Sequence, residues 1–439
     1  STTFSQVGVT STGAAPTAMA VSGRYAYVAN FTSNTLSVVD VSDPTAPKQV
    51  STTSVGFVPS TFDGGGLLSI AVSGRYAYIG SNAFVTSSGD VVVSSGTISV
   101  VDISNPRNPR QVATTSVGAA PRSIYVSGRY AYTANFDAYT VSVVDIANPL
   151  APKLLANTSV LGDTAAPISI YVSGRYAYTA NNGDETMSVI DISNPSNPVQ
   201  VATTSVGIDP TSIYVSGRYA YTANNADNTI SVIDIKNPSA PVQIATTSAG
   251  PSPQSIYVSG RYAYVANFDA DADSLSIINI SSSTAPALVA STTLGDMPSS
   301  VYVSGRYAYV TNYNANTISI VDISGTEVTS LIAHSAEVGN LQSRNDIFAQ
   351  GNIMAGTSLV VGAGGIMSQG TLSIFASSTG VTSSIFNISS AQTSNVFKVF
   401  ANGSIGIGTS TPASRLTIQG SGTANPFSVV SSTAAANSM

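Results

Sequence analysis

The sequence predicts an all-β chain: a seven-bladed β-propeller over residues 1–325, closed by an N-terminal velcro strand, then a β-rich stalk or assembly segment over residues 326–439. Three observations predict it. The hexapeptide SGRYAY begins at Ser22 and returns at Ser73, Ser127, Ser173, Ser216, Ser259 and Ser304. Its glycines stand 51, 54, 46, 43, 43 and 45 residues apart, about the length of one propeller blade. Beyond residue 325 the phrase does not recur, and short Gly-rich runs replace it.

Each unit divides into four runs, seen in SIYVSG, RYAYTAN, TISVIDI and QVATTSVG, rich in Val, Ile, Thr and Tyr and separated by Gly, Pro, Asn or Asp. These are strands a, b, c and d. Runs such as TISVIDI are apolar on nearly every residue, as expected where a sheet lies between two neighbouring sheets. The seventh unit ends after VDIS without its strand d. The chain begins with TTFSQVGVTSTGAAP, which matches the strand-d phrase QVATTSVGAAP, so Phe4 to Gly13 is expected to complete the last blade and remove an exposed sheet edge.

Repetition also assigns the side chains that would look chemical if they occurred once. Of 21 tyrosines, fourteen lie in the RYAY copies and five more at the strand-a positions 125, 171, 214, 257 and 302. So many tyrosines at fixed places read as packing. Arg24 and Asp40, sixteen residues apart, recur as Arg129 and Asp145, Arg175 and Asp191, Arg218 and Asp234, and Arg306 and Asp322. At matched ends of a hairpin they read as structural ion pairs, with Arg261 meeting the neutral Asn279 in the sixth unit.

The stretch VVDISNPRNPRQVATTSVGAAPRSIYVSGRYAYTAN resembles the LVIVD-repeat family of bacterial and archaeal surface-associated β-propellers, whose signature is VVDIS or VIDIS followed by NPxxP. The resemblance covers roughly residues 1 to 325. It implies an extracellular or envelope location and brings no settled activity, because propellers host many functions.

Composition narrows the partners. With 43% hydrophobic and 9% charged residues the chain can bury a core, and no run of 18 apolar residues is present to span a bilayer. A net charge of -6 with the few Lys and Arg spread singly argues against nucleic acid. Zero Cys rules out disulfides and thiolate metal sites. The opening STTFSQVG lacks the basic and long apolar parts of a signal peptide, and a start at Ser1 fits a processed chain.

Function is expected where the repeat fails. In the second unit eighteen residues separate Gly56 from Gly74, against ten from Gly118 to Gly128, and Arg75 stands 27 residues from Asp102. Both insertions rise from the same face. They carry Phe57, Phe62, Asp63, Phe84 and Asp90, read either as a partner-binding cap or as decorative loops. That face also gathers Asp137, Asp163, Asp184, Glu185, Asp209, Asp227 and Asp296 against Arg122, while the opposite face holds the SGR arginines, giving a modest dipole along the axis.

In the sixth unit NFDADADS sets Asp269, Asp271 and Asp273 at alternate positions, where three carboxylates can converge on calcium if the loop curls. The sixth-position Gly and distal Glu of an EF-hand are missing, so a solvated acidic turn is the competing reading. Otherwise no cofactor is expected. His334 is the single histidine, and GAGG at 362–365 lacks the context of a phosphate loop.

The C-terminal phrases LQSRNDIFAQGNIMAGTSLVVGAGGIMSQGTLSI and NVFKVFANGSIGIGTSTPASRLTI resemble the β-rich shafts of phage tail fibres and bacterial surface fibres, with GxIGIGTxxPxxxL as the shared phrase. The self-cleaving chaperone domain that often follows such shafts is not in this sequence. About 110 residues of brief strands bury too little alone, so self-association through 326–439 is expected, as a trimeric fibre or a strand-donating filament. The closing PFSVVSSTAAANSM reads as the opening of a further unit, as in a segment of something longer. The combined expectation is a non-enzymatic extracellular or cell-surface subunit of a fibre or filament. Its propeller would be the head or adhesive binding module for a surface glycan or protein. The alternative is a propeller hydrolase or lyase acting on surface polysaccharide.

Overall fold

The computed structural model describes residues 4–56, 66–87, 90–160, 164–268 and 273–323, together with four short strands at 384–388, 397–400, 405–407 and 416–418. The repeated hexapeptide is a hairpin. Ser22, the last residue of strand a, pairs with Tyr25, the first of strand b, so Gly23 and Arg24 form a two-residue turn. The seven equivalent glycines have φ between +57° and +60°, and the arginines after them do not share it. A positive φ at the first central position alone is the requirement of a type II′ turn, whose twist matches that of antiparallel strands. A Cβ at Gly23 would meet nothing within 4 Å, so glycine is needed there for its backbone freedom and not for space.

Each hairpin grows into a four-stranded antiparallel sheet in the order a-b-c-d. In the fifth blade the strands are Pro210–Ser216, Tyr219–Asn224, Thr229–Asp234 and Val242–Ser248. The innermost strand a bulges after its first residue, between Pro210 and Ser212, and strands c and d slip register between Val232 and Ile233. Burial follows radial position. Strand c is buried through Ile230, Val232 and Ile233, whereas the outer strand d alternates exposed and half-buried residues. Between neighbouring sheets lie apolar clusters, for example Tyr264, Leu275 and Ile277 of the sixth blade against Val301, Val303 and Val310 of the seventh.

The seventh blade has Pro298–Ser304, Tyr307–Asn312 and Thr317–Asp322 from its own unit. Its fourth strand is Ser5–Ser11, running antiparallel with Ser5 opposite Asp322 and Ser11 opposite Thr317. Phe4 packs on the cluster between the sixth and seventh blades, which seals the ring. The described residues thus form an all-β, seven-bladed propeller closed by its N-terminal strand, and none of them is helical.

The second blade departs from the pattern. Its strands b and c, Tyr76–Ser87 and Asp90–Asp102, are 12 and 13 residues long, where the fifth blade has six in each. Pairing continues from Tyr76 opposite Asp102 out to Ser87 opposite Asp90. The insertion is therefore a projecting hairpin.

By contact the chain separates into two units, Ser1–Ile332 and Ala333–Met439. In the second, Ser384–Ile388, Phe397–Phe400, Ile405–Ile407 and Leu416–Ile418 form one sheet in that order, antiparallel except for the last pair. These strands hold the FKVF, IGI and LTI runs of the fibre-like phrase. The expected boundary at 325/326 falls outside the described residues.

Candidate functional site

Most of the polar side chains in the repeat act on the scaffold. Tyr25, not Arg24, lies directly opposite Asp40 in the strand register. The arginine instead reaches across from the turn, so its Nη2 lies 2.6 Å from Asp40 Oδ2 and its guanidinium lies 5.4 Å from the Tyr25 ring centre. The same pair forms at Arg75 and Asp102, 2.5 Å, across the longer insertion, and at Arg129–Asp145, Arg175–Asp191, Arg218–Asp234 and Arg306–Asp322. Arg261 keeps only the ring contact of this set, 5.4 Å from Tyr262, with Asn279 in the acceptor's place. Arg175 and the Ser193 groups hold the Asp191 carboxyl down at about 2, and Ser193 N donates to it at 2.9 Å. Asp40 is held well below the usual carboxylate range by Arg24 and Ser42. Such carboxylates stay ionised and committed, the opposite of what a general acid needs.

The NPxxP signature forms turns on the same face. Asn105 Oδ1 accepts from Arg107 N at 3.2 Å, and Asn108 N donates to Asn105 O at 2.9 Å. These are Asx turns, closed by an asparagine that caps its own loop.

On the opposite face the acidic residues tie loops together. Thr164 Oγ1 donates to Asp184 Oδ1 at 2.5 Å, Ile208 N to Asp227 Oδ2 at 2.7 Å and Asn314 Nδ2 to Asp296 Oδ1 at 3.4 Å, while Asn182 bonds Asp209. Arg122 lies over the Phe136 ring at 4.6 Å. Neighbouring blades are clasped by backbone amides: Ala15 N donates to Asn316 Oδ1 and Ala120 N to Asn82 Oδ1, each at 2.7 Å. Asp273 plays this part in the sixth blade, its Oδ2 accepting from Met297 N at 2.9 Å. Its expected companions Asp269 and Asp271 lie outside the described residues. Among the described residues no three His, Cys, Asp or Glu side chains gather to hold a metal ion.

Phe57, Phe62 and Asp63 likewise fall outside the described residues. Phe84 and Asp90 belong to the projecting hairpin, where their backbones pair with Ser94 and Ser87.

The central bore is a concavity with a distinctive lining. A cavity of about 500 Å³ is walled by strand a of all seven blades. At one level Tyr125, Tyr171, Tyr214, Tyr257 and Tyr302 stand side by side, their ring centres 4.6, 4.7, 4.8 and 5.1 Å apart in turn. Burial pushes the Tyr302 hydroxyl up to about 12 and raises Tyr125 and Tyr214 as well. In the first and second blades the equivalent residues are Ala20 and Ala71. The five tyrosines are legible as a repeated position. Their arc is not, because these residues are 43 to 46 apart in sequence and meet only when the ring closes.

Sequence reading also passed over the residue that ends strand b. Asn30, Asn135, Asn181, Asn224, Asn267 and Asn312 are fully buried, and each donates from Nδ2 to a strand-c serine, as Asn135 does to Ser142 at 2.8 Å. Its recurrence in six of the seven RYAY copies was the available signal.

A sequence model of the LVIVD repeat matches residues 16–54, 64–86, 91–115, 118–159, 167–205, 209–247, 251–293 and 296–331, more than half of the chain. No curated protein matches. Among solved structures, the β-propeller domain of Cps50 (Swd1) from Myceliophteria thermophila is 12% identical, with a TM-score of 0.55 over 73% of this chain and 100% of that one. A candidate 6-phosphogluconolactonase from Bacteroides fragilis is 16% identical, with a TM-score of 0.54 over 70% of this chain and 89% of that one. The periplasmic gluconolactonase PpgL of Pseudomonas aeruginosa is 17% identical, with a TM-score of 0.52 over 64% of this chain and 86% of that one. At such identities the likeness is one of fold, and it joins proteins of unrelated activity.

Proposed function

The chain belongs to the LVIVD-repeat family, and we propose that it is a non-enzymatic extracellular or cell-surface subunit whose propeller is a binding head. The observation that carries this reading is the projecting hairpin of the second blade. The other blades return from strand b to strand c after about six residues, and a long paired hairpin on one rim offers edges and loops that the scaffold itself does not use. The repeated charges support the same reading, because the arginines and aspartates most suited to acid and base work are spent on turn and hairpin ties. A surface glycan or protein is the proposed partner of the head, and self-association is the proposed role of residues 326–439.

Trimming the hairpin of the full chain to the length found in the fifth blade tests the head. The melting temperature should stay near that of the parent, while retention on immobilised surface polysaccharides, or co-assembly of the subunit, falls. Undiminished retention and assembly would remove the hairpin from the site. Depolymerisation of those polysaccharides, lost on Asp63→Asn or Asp90→Asn, would favour the hydrolase or lyase reading instead. Light scattering on residues 1–325 and on the full chain tests the second role, a monomer and an assembly being the expected pair.

A further inference from the structure

The tyrosine arc of the bore is incomplete in a way that defines what would complete it. Seven blades supply seven equivalent strand-a positions, and five of them carry Tyr125, Tyr171, Tyr214, Tyr257 and Tyr302. Ala20 and Ala71 occupy the other two, side by side in consecutive blades. Together they leave a notch where two p-hydroxyphenyl groups would stand in a symmetric ring.

The walls of that notch are chemically uniform. The cavity is lined by Met, Ala, Val, Ile, Ser and Tyr side chains and by no charged one. An ion entering it would lose its hydration with no countercharge to replace it, so the site selects neutral groups. Flat rings suit it best, because the neighbouring tyrosines already stack in tilted pairs about 5 Å apart. Tyr302 itself packs against the cluster that contains Ala20.

The hydroxyls add polarity to this wall. Burial and the neighbouring Tyr171 and Tyr257 hydroxyls raise the titration of Tyr125, Tyr214 and Tyr302, so the phenol oxygens lie close together in the bore. Each phenol carries one O–H donor and acceptor lone pairs. A further hydroxyl set beside them can donate to a lone pair or accept from an O–H. Tyr125 and Tyr302 end the arc and flank the notch.

We propose that the notch beside Ala20 and Ala71 binds a neutral hydroxyaryl group, either a free phenol or a tyrosine side chain presented by a partner peptide, which takes one of the two vacant ring positions and sets its hydroxyl beside those of the arc. The bore cavity of which the notch is a part, about 500 Å³, is in the range of small-molecule sites. This site lies in the bore and owes nothing to the rim hairpin, so it stands or falls separately from the reading of the head.

The full chain titrated with p-cresol by ligand-observed NMR gives the test. Saturable binding is expected, with toluene about tenfold weaker because it has no hydroxyl to bond with those of the arc. Ala20→Tyr together with Ala71→Tyr should abolish p-cresol binding by filling the notch. Should that double variant fail to fold, Tyr302→Phe keeps the volume and removes the terminal hydroxyl, and the preference for p-cresol over toluene should shrink. N-acetyltyrosinamide binding alongside p-cresol assigns the site to a peptide tyrosine, and its exclusion assigns it to a free phenol. Absence of saturation by p-cresol, equal binding of toluene, or binding that survives these substitutions unchanged would overturn the proposal.

Discussion

The Thr133 hydroxyl donates to Asn135 Oδ1 across 2.8 Å, two residues along strand b and out of reach of solvent. Thr179 serves Asn181 and Thr222 serves Asn224 in the same way, at 2.8 and 2.9 Å. In the first, sixth and seventh blades the threonine is replaced by Val28, Val265 and Val310. There the Oδ1 atoms of Asn30, Asn267 and Asn312 are buried without a hydrogen-bond partner. The remaining buried orphan, Ser99 Oγ, lies in the second blade, where Ser81 stands in the asparagine's place. The missing threonine therefore accounts for three of the four unsatisfied buried side-chain atoms among the described residues, and the missing asparagine for the fourth.

Val28→Thr, Val265→Thr and Val310→Thr should each stabilise the chain by about 1 kcal/mol, because each supplies the donor that its asparagine lacks at nearly constant volume. Thr179→Val should cost about as much. Denaturant midpoints measure both. Destabilisation by all three threonines would mean that ordered water already satisfies these amides.

Deleting residues 1–14 removes the strand that pairs with Thr317–Asp322 and with it Phe4. The exposed edge of the seventh sheet should lower the melting temperature sharply or drive aggregation. A monodisperse product with an unchanged melt would show that the ring holds without its closing strand.

Two glycine substitutions separate backbone conformation from close approach. Gly217→Ala forces a side chain onto φ +59° in open space and should cost about 1–2 kcal/mol. Gly96→Ala would place a Cβ 1.8 Å from Gly118 O, a backbone atom just past Val117, the residue that Gly96 faces on strand d of the same blade, and it cannot swing aside. It should be the more damaging by a wide margin, seen as a larger fall in denaturant midpoint. Equal effects would refute this account of Gly96.

Acid and base should act through different residues. The hairpin aspartates titrate below their unfolded value, Asp191 at about 2, so their contribution is present above about pH 4 and is lost as pH falls towards 2. Because these pairs are exposed, the loss should be gradual, and Arg175→Gln should reduce it. Burial raises Tyr132, Tyr264 and Tyr302 to about 12. Their contribution is complete below about pH 10 and is lost as pH rises through 12. Melting temperature across the pH range, followed alongside tyrosinate absorbance, checks both limbs. A stability loss centred near neutrality would contradict both assignments.

The sequence by itself determined the blade, its number and its closure, because each is a local pattern repeated often enough to be unmistakable. SGRYAY is a two-residue hairpin turn with its flanking strands, Arg24 and Asp40 are joined by one hairpin, and the Ser5–Ser11 phrase matches a strand the seventh unit lacks. Each of those contacts is made within a unit or is announced by a copy of it. Tertiary structure alone decided what happens between units. The tyrosine arc and its gap at Ala20 and Ala71 arise from the ring geometry that sets strand against strand in different blades. Repetition in sequence specifies the piece, whereas the curvature with which pieces pack decides which side chains face one another across the bore.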